Sequence, residues 1–132
     1  QALTEGVITR YGDGDELREY IHVSDAARGS AEVLSDNFKN QHVIITGQQQ
    51  MRIKDVLVMI KEMLGNKIEL EFLPTKESYH YEISPYSFAP RIGKRFTSKT
   101  YLDLGQGILD MIYDLSKRLK PLPTYDGIII KE

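Results

Sequence analysis

Residues 7–27, VITRYGDGDELREYIHVSDAA, carry the reading on which the fold depends. Val7–Tyr11 is β-rich, and Gly12-Asp13-Gly14-Asp15 supplies residues that tolerate left-handed backbone angles. LREYIHV then alternates, so the stretch predicts two strands around a Gly-Asp turn. In the second strand Leu17, Glu19, Ile21 and Val23 share one side, and Arg18, Tyr20 and His22 the other. The second side is polar and aromatic, which points it at a cleft or solvent rather than at a core. Ser24 or Asp25 next offers an oxygen to cap a helix. Ala27, Ala31, Leu34 and Phe38 follow at helical steps, predicting a helix that ends near Asn40.

Outward from this stretch, HVIIT at 42–46 is a short β-branched run that reads as a strand buried on both faces. A Gln triplet follows Gly47 and is too short to count as low complexity. Ile53, Val56, Leu57, Ile60 and Leu64 mark an amphipathic helix closed by Gly65. KIELEFL alternates, with Ile68, Leu70 and Phe72 on one face of a half-buried strand. From Pro74 to Thr100 the pattern breaks into an extended loop, with short strands expected near Tyr81–Ile83 and Arg95–Phe96. A last helix spans about 103–119, with Leu104, Ile108, Met111, Ile112, Leu115 and Leu119 inward. Pro121 and Pro123 end it. The predicted class is α/β (α+β), a small mixed sheet with about three main helices. The domain covers 1–120 and a tail 121–132.

Composition sets the limits. The 132 residues, 41% hydrophobic and 27% charged with a net charge of −2, suit one globular domain. No apolar run approaches the roughly 20 residues of a membrane-spanning helix. The first residues lack the apolar core of a signal peptide. With no cysteine there is no disulfide, thiolate metal site or cysteine nucleophile. These features fit a cytoplasmic protein with no membrane partner. The start at Gln1, without an initiator Met, fits a segment of a longer gene product.

Two places carry ligand-binding chemistry. Stretch 83–102 holds no acidic residue, while Arg91, Lys94, Arg95 and Lys99 alternate with Tyr86, Phe88, Phe96 and Tyr101. Guanidinium groups take phosphate oxygens in pairs, and aromatic faces stack on a base. The plain alternative is a solvated basic loop. Arg18 shares its strand face with Tyr20 and His22, where an anionic ligand would find it. An ion pair with Glu16, Glu19 or a distant carboxylate is the other reading. His22, His42 and His80 have no metal-ligand spacing, so no metal is expected. Asp13, Asp15 and Glu16 are explained by turn geometry and lack the terminal Glu of a calcium loop. No nucleophile motif and no G-x-G-x-x-G turn appears. The chain shows binding groups without a catalytic set.

Arg18-Glu19-Tyr20-Ile21-His22-Val23-Ser24-Asp25-Ala26-Ala27 resembles the Arg-Asp/Glu-Tyr/Phe-Ile-His-Val-x-Asp-x-Ala pattern of the nucleotide-sugar epimerases and dehydratases. These are extended short-chain dehydrogenases/reductases. Tyr11-Gly12-Asp13-Gly14 resembles the turn before that pattern, HVIITG with MRIKDVLVMIKEMLG a family strand and helix, and Arg91-Ile92-Gly93 a late Arg-x-Gly element. The order of elements matches over roughly 5–115. The resemblance implies that Arg18 and Arg91 contact a diphosphate, that Tyr11 lies against the nucleobase, and that the backbone near Thr9 reads the base edge. It makes His22 structural. Ser24 departs from the commoner Asp, and Lys94 stands where relatives often place a ribose-binding Asp.

The family's catalytic Tyr-x-x-x-Lys pair and glycine-rich NAD fingerprint have no counterpart. Only Tyr113 has a Lys four residues on, and Lys117 there reads as a surface coincidence. The resemblance therefore implies a C-terminal substrate-binding domain, without its N-terminal Rossmann domain, of an NAD-dependent epimerase/dehydratase. It would bind a UDP- or dTDP-linked sugar and no NAD of its own, and would not turn over alone. If HVIIT adds to the missing Rossmann sheet, the isolated chain exposes an apolar edge and is open to self-association as a homo-oligomer. A stand-alone module binding RNA or another polyanion through 83–102 is the alternative. Net acidity and the lack of a nucleic-acid motif count against it. A protein-interaction domain with exposed aromatics is a third reading.

Overall fold

A computed structural model describes residues 1–74 and 93–119. Strands β1 (Val7–Tyr11) and β2 (Leu17–Tyr20) flank the expected turn, and helix α1 (Val23–Glu32) follows. Then come β3 (Val43–Ile45), β4 (Gln49–Arg52), α2 (Ile53–Met63), β5 (Glu69–Leu73), β6 (Lys94–Phe96) and α3 (Leu104–Arg118). The class is the expected mixed α/β with three helices. Its strands form three two-stranded sheets among the described residues: β1–β5 and β3–β6 parallel, β2–β4 antiparallel. The expected strand near Tyr81–Ile83 and the tail lie outside the described residues.

The Gly-Asp turn separates β1 and β2 without pairing them. Gly12 and Gly14 take φ of 92° and 74°, and Asp13 Oδ1 accepts from Asp15 N at 3.0 Å. The turn instead docks on the start of α2. Its carbonyls at Gly14 and Glu16 accept from Lys54 N and Ile53 N at 2.9 and 3.2 Å. These are N–H groups that a helix start leaves without an internal partner. α2 has no side-chain cap, so the turn supplies what a cap would.

Two expectations for α1 need correction. The helix stops at Glu32 and a separate 3-10 turn, Asp36–Phe38, follows. Its cap is His22, whose Nδ1 accepts from Ser24 N at 3.2 Å, not Ser24 or Asp25. The buried side carries Asp25 and Gly29, while Ala27, Ala31 and Leu34 are exposed. Gly29 explains the rotation. A Cβ there would lie 3.0 Å from Ile45 Cγ2, so the helix rests closely on β3 along its glycine.

HVIIT forms β3 as expected, but Val43–Ile45 are half-buried rather than enclosed on both faces. Gly47 ends the run where the chain crosses β2. A Cβ at Gly47 would lie 1.7 Å from the Tyr20 carbonyl oxygen, which leaves room for no side chain. The Gln triplet contributes β4, a strand that Gln-rich sequence does not announce. The buried apolar side chains among the described residues are Val56, Leu64, Ile68 and Ile108. They sit where α2 packs against β5 and α3. No described helix is long and apolar enough to cross a membrane.

Candidate functional site

Strand β2 organises the site. Arg18 lies opposite Met51 in the β2–β4 register, half-buried, with Nη1 donating to the Leu17 carbonyl at 2.8 Å. Beside it stands Tyr20. Burial raises the pKa of its phenol, and the Arg18 and Arg10 guanidiniums pull it down while Glu16 raises it further. Arg10, Glu16, Arg18 and Tyr20 thus share one locality, although β1 and β2 belong to different sheets. Arg10 Nη2 donates to Glu16 Oε1 at 2.8 Å across the turn.

At the end of β2 the chain opens into a cleft of about 210 Å³. Tyr20, His22, Asp25, Ser98, Tyr101 and Gly107 are among its lining residues. His22 serves here as a structural residue. It caps α1, and its ring lies against α3, since a Cβ at Gly107 would come within 3.1 Å of its Cδ2. Asp25 is 4% exposed and joins the two sides of the cleft. Its Oδ2 accepts from Leu102 N at 2.7 Å and its Oδ1 from Arg28 Nη1 at 3.1 Å. Arg28 also donates to the Thr100 carbonyl and hydroxyl at 3.2 and 3.3 Å. Asp103 caps α3, its Oδ1 accepting from Gly105 N at 2.8 Å and Gln106 N at 3.3 Å.

The basic stretch is divided by these contacts. Arg95, on β6, donates to Glu19 Oε1 at 3.0 Å and to Thr46 Oγ1 at 3.3 Å. Gln50 donates to the same Glu19 oxygen at 3.0 Å, and the Glu19 side chain is only 6% exposed. Arg95 is therefore a structural partner that ties β6 to β2, and not one of four unengaged cations. Lys94 and Lys99 remain exposed. Arg91 lies outside the described residues.

Thr9 sits mid-strand opposite Glu71. Its N–H donates to Gln1 Oε1 and its hydroxyl to Glu71 Oε2, each at 3.3 Å. Tyr11 ends β1 and is 63% exposed. Sequence reasoning missed Arg10 and Glu16 as a pair; a basic residue in a β-rich strand facing an acid across a Gly-Asp turn was the available signal. Lys117 Nζ lies 4.0 Å above the Tyr113 ring, so this pair meets over the ring face on α3. Among the described residues no three His, Asp or Glu side chains converge as a metal set.

The comparisons with known proteins agree on one group. dTDP-glucose 4,6-dehydratase of Salmonella typhimurium is 27% identical over 123 residues, covering 92% of this chain and 29% of that enzyme. dTDP-glucose 4,6-dehydratase 1 of Escherichia coli K12 is 26% identical over 95 residues, covering 72% of the chain and 25% of that enzyme. A GDP-6-OMe-4-keto-L-xylo-heptose reductase from C. jejuni superimposes with a TM-score of 0.61 at 22% identity, over 86% of this chain and 34% of that one. By sequence the chain is similar, over most of its own length, to part of the dTDP-glucose 4,6-dehydratases.

It spans less than a third of the length of the curated relatives it matches. An NAD-dependent NDP-hexosamine 5,6-dehydratase of tunicamycin biosynthesis shares the fold, with a TM-score of 0.58 at 16% identity. It covers 87% of this chain and 37% of that one. No family model matches the chain.

Proposed function

We propose that the chain is the nucleotide-sugar-binding domain, residues 1–120, of an NAD-dependent dehydratase or epimerase, and is the C-terminal part of that enzyme. The parent reaction oxidises a sugar carbon with NAD, rearranges the sugar and returns the hydride. The observation that carries this reading is that Arg18 of β2 and Arg10 of β1 both act on the Tyr20 phenol, on the strand that opens the Arg-Glu-Tyr-Ile-His-Val-Ser-Asp-Ala-Ala stretch. Two guanidiniums and one carboxylate leave that locality net positive, which suits an anionic ligand.

In this reading Arg18 holds the diphosphate, with Arg91 as its second cation, while Tyr11 lies against the base and the Thr9 backbone meets the base edge. Fixing nucleotide and diphosphate orients the attached sugar for chemistry supplied by another part of the enzyme. The residues described here do not themselves fit NAD. The Gly12–Gly14 turn joins strand to strand, whereas a dinucleotide's pyrophosphate is held where a glycine-rich turn leads a strand into a helix.

The test is a calorimetric titration with UDP, dTDP, GDP, their sugar conjugates, NAD(H) and a short RNA. Saturable binding of nucleotide sugars, lost in Arg18→Ala, is expected, with no signal from NAD(H). Tight RNA binding with steep salt dependence and no response to nucleotides would reverse the conclusion.

A further inference from the structure

The ion pair of Arg10 and Glu16 is one hydrogen bond short. Arg10 Nη2 reaches Glu16 Oε1 at 2.8 Å, while Arg10 Nε and Glu16 Oε2 are both buried and have no partner among the described residues. A guanidinium edge meets a carboxylate best through two parallel bonds. Here the second is unmade, and both its donor and its acceptor stand unfilled. Buried polar groups left in that state are costly, and native proteins pair nearly all of them. A hydroxyl answers both, because its oxygen accepts from the N–H while its own hydrogen goes to the carboxylate.

The surroundings narrow the choice of hydroxyl. Arg10, Glu16 and Arg18 act together on the Tyr20 phenol, so the incomplete pair lies near the proposed diphosphate cation. Arg10 stands between Thr9 and Tyr11 on β1. On the functional reading above, on which this inference rests, β1 serves the base and Arg18 the diphosphate. The group covalently joining those two parts of a nucleotide is the pentose. We propose that Arg10 and Glu16 form a hydroxyl-binding element that holds a pentose hydroxyl of a nucleoside diphosphate beside Arg18. The side chains are 27% and 15% exposed, so the pair meets the surface. The hydroxyl enters by parting the two side chains, since the unfilled atoms are covered in their present arrangement. Water is the competing occupant, and it would confer no preference among nucleotides.

The test compares nucleoside diphosphates that differ only in the pentose: UDP, 2′-deoxy-UDP and 2′,3′-dideoxy-UDP, with the corresponding guanosine and thymidine series. Removing one of the two hydroxyls is expected to weaken binding to the chain about tenfold. In Glu16→Ala that ratio falls to near one, whereas Arg18→Met weakens every member and keeps the ratio. Arg10→Lys retains the charge but loses the fork, and is expected to flatten the ratio too; it serves if Glu16→Ala does not fold. Equal affinities for all three pentoses, or an unchanged ratio in a folded variant, overturn the inference and leave the functional reading standing. Absence of binding by every nucleoside diphosphate overturns both.

Discussion

Helices α2 and α3 have similar apolar rows in sequence and different surroundings in the fold. α2 lies against β4, β5 and α3. It buries Val56, Leu64 at its end is 0% exposed, and Ile68 just beyond is 1% exposed. α3 buries Ile108 alone, while Met111 and Leu115 of the same row are 52% and 40% exposed. Helical spacing names a face, but burial needs an opposing surface. Beside Ile108, what holds α3 sits at its first turn: the Asp103 cap, the His22 ring packed on Gly107 and the bond from Leu102 N to Asp25.

Substitutions test this contrast directly. Leu64→Ala opens a cavity in the enclosed corner, and chemical denaturation should show a loss of about 3 kcal/mol. Asp25→Ala strands the half-buried Leu102 N–H and takes from Arg28 its carboxylate partner, leaving it only Thr100. A loss of about 2 kcal/mol is expected, together with faster amide exchange at the start of α3. Asp103→Ala removes a cap and should cost about 1 kcal/mol. A comparable loss from Leu115→Ala would break the contrast, since that side chain is half in solvent and its truncation should cost under about 0.5 kcal/mol.

The docking of the turn on α2 has a pH signature. A side-chain hydrogen bond from Lys54 holds the Asp15 carboxyl below its ordinary value of 3.8; desolvation opposes this, and the charges of Lys54 and Arg52 add to the lowering. A depressed carboxylate adds stability at pH above its unfolded value and loses it as pH falls through the folded one. Stability curves of the parent and Lys54→Met should therefore begin to converge below about pH 4 and meet only once the pH has fallen through the lowered Asp15 value of the folded parent. Curves that stay parallel into acid would mean that the pair does not form in solution.

Much of the fold is legible because it depends on near neighbours in sequence. The β-rich run Val7–Tyr11, the alternation of LREYIHV and KIELEFL, the 3.6-residue rows of α2 and α3, and the turn glycines are local patterns. β4 is hidden by its glutamines. The inward side of α1 is hidden because a glycine and an aspartate, not the alanines, face β3 and the α3 start. Of the candidate site, Arg18 and Tyr20 could be placed on one face of one strand. The Arg10–Glu16 pair and the capture of Arg95 by Glu19 needed the three-dimensional path of the chain.

By itself the sequence determined most of the elements, the turn and the family resemblance carried by residues 18–27, since each depends on residues close along the chain. Only the tertiary structure decided that β1 pairs with β5 and β2 with β4, that Gly47 must lack a side chain, and that arginines from two different sheets both act on the Tyr20 phenol. Those outcomes follow from backbone pairing and charge contacts between distant segments, where no local periodicity records the partner.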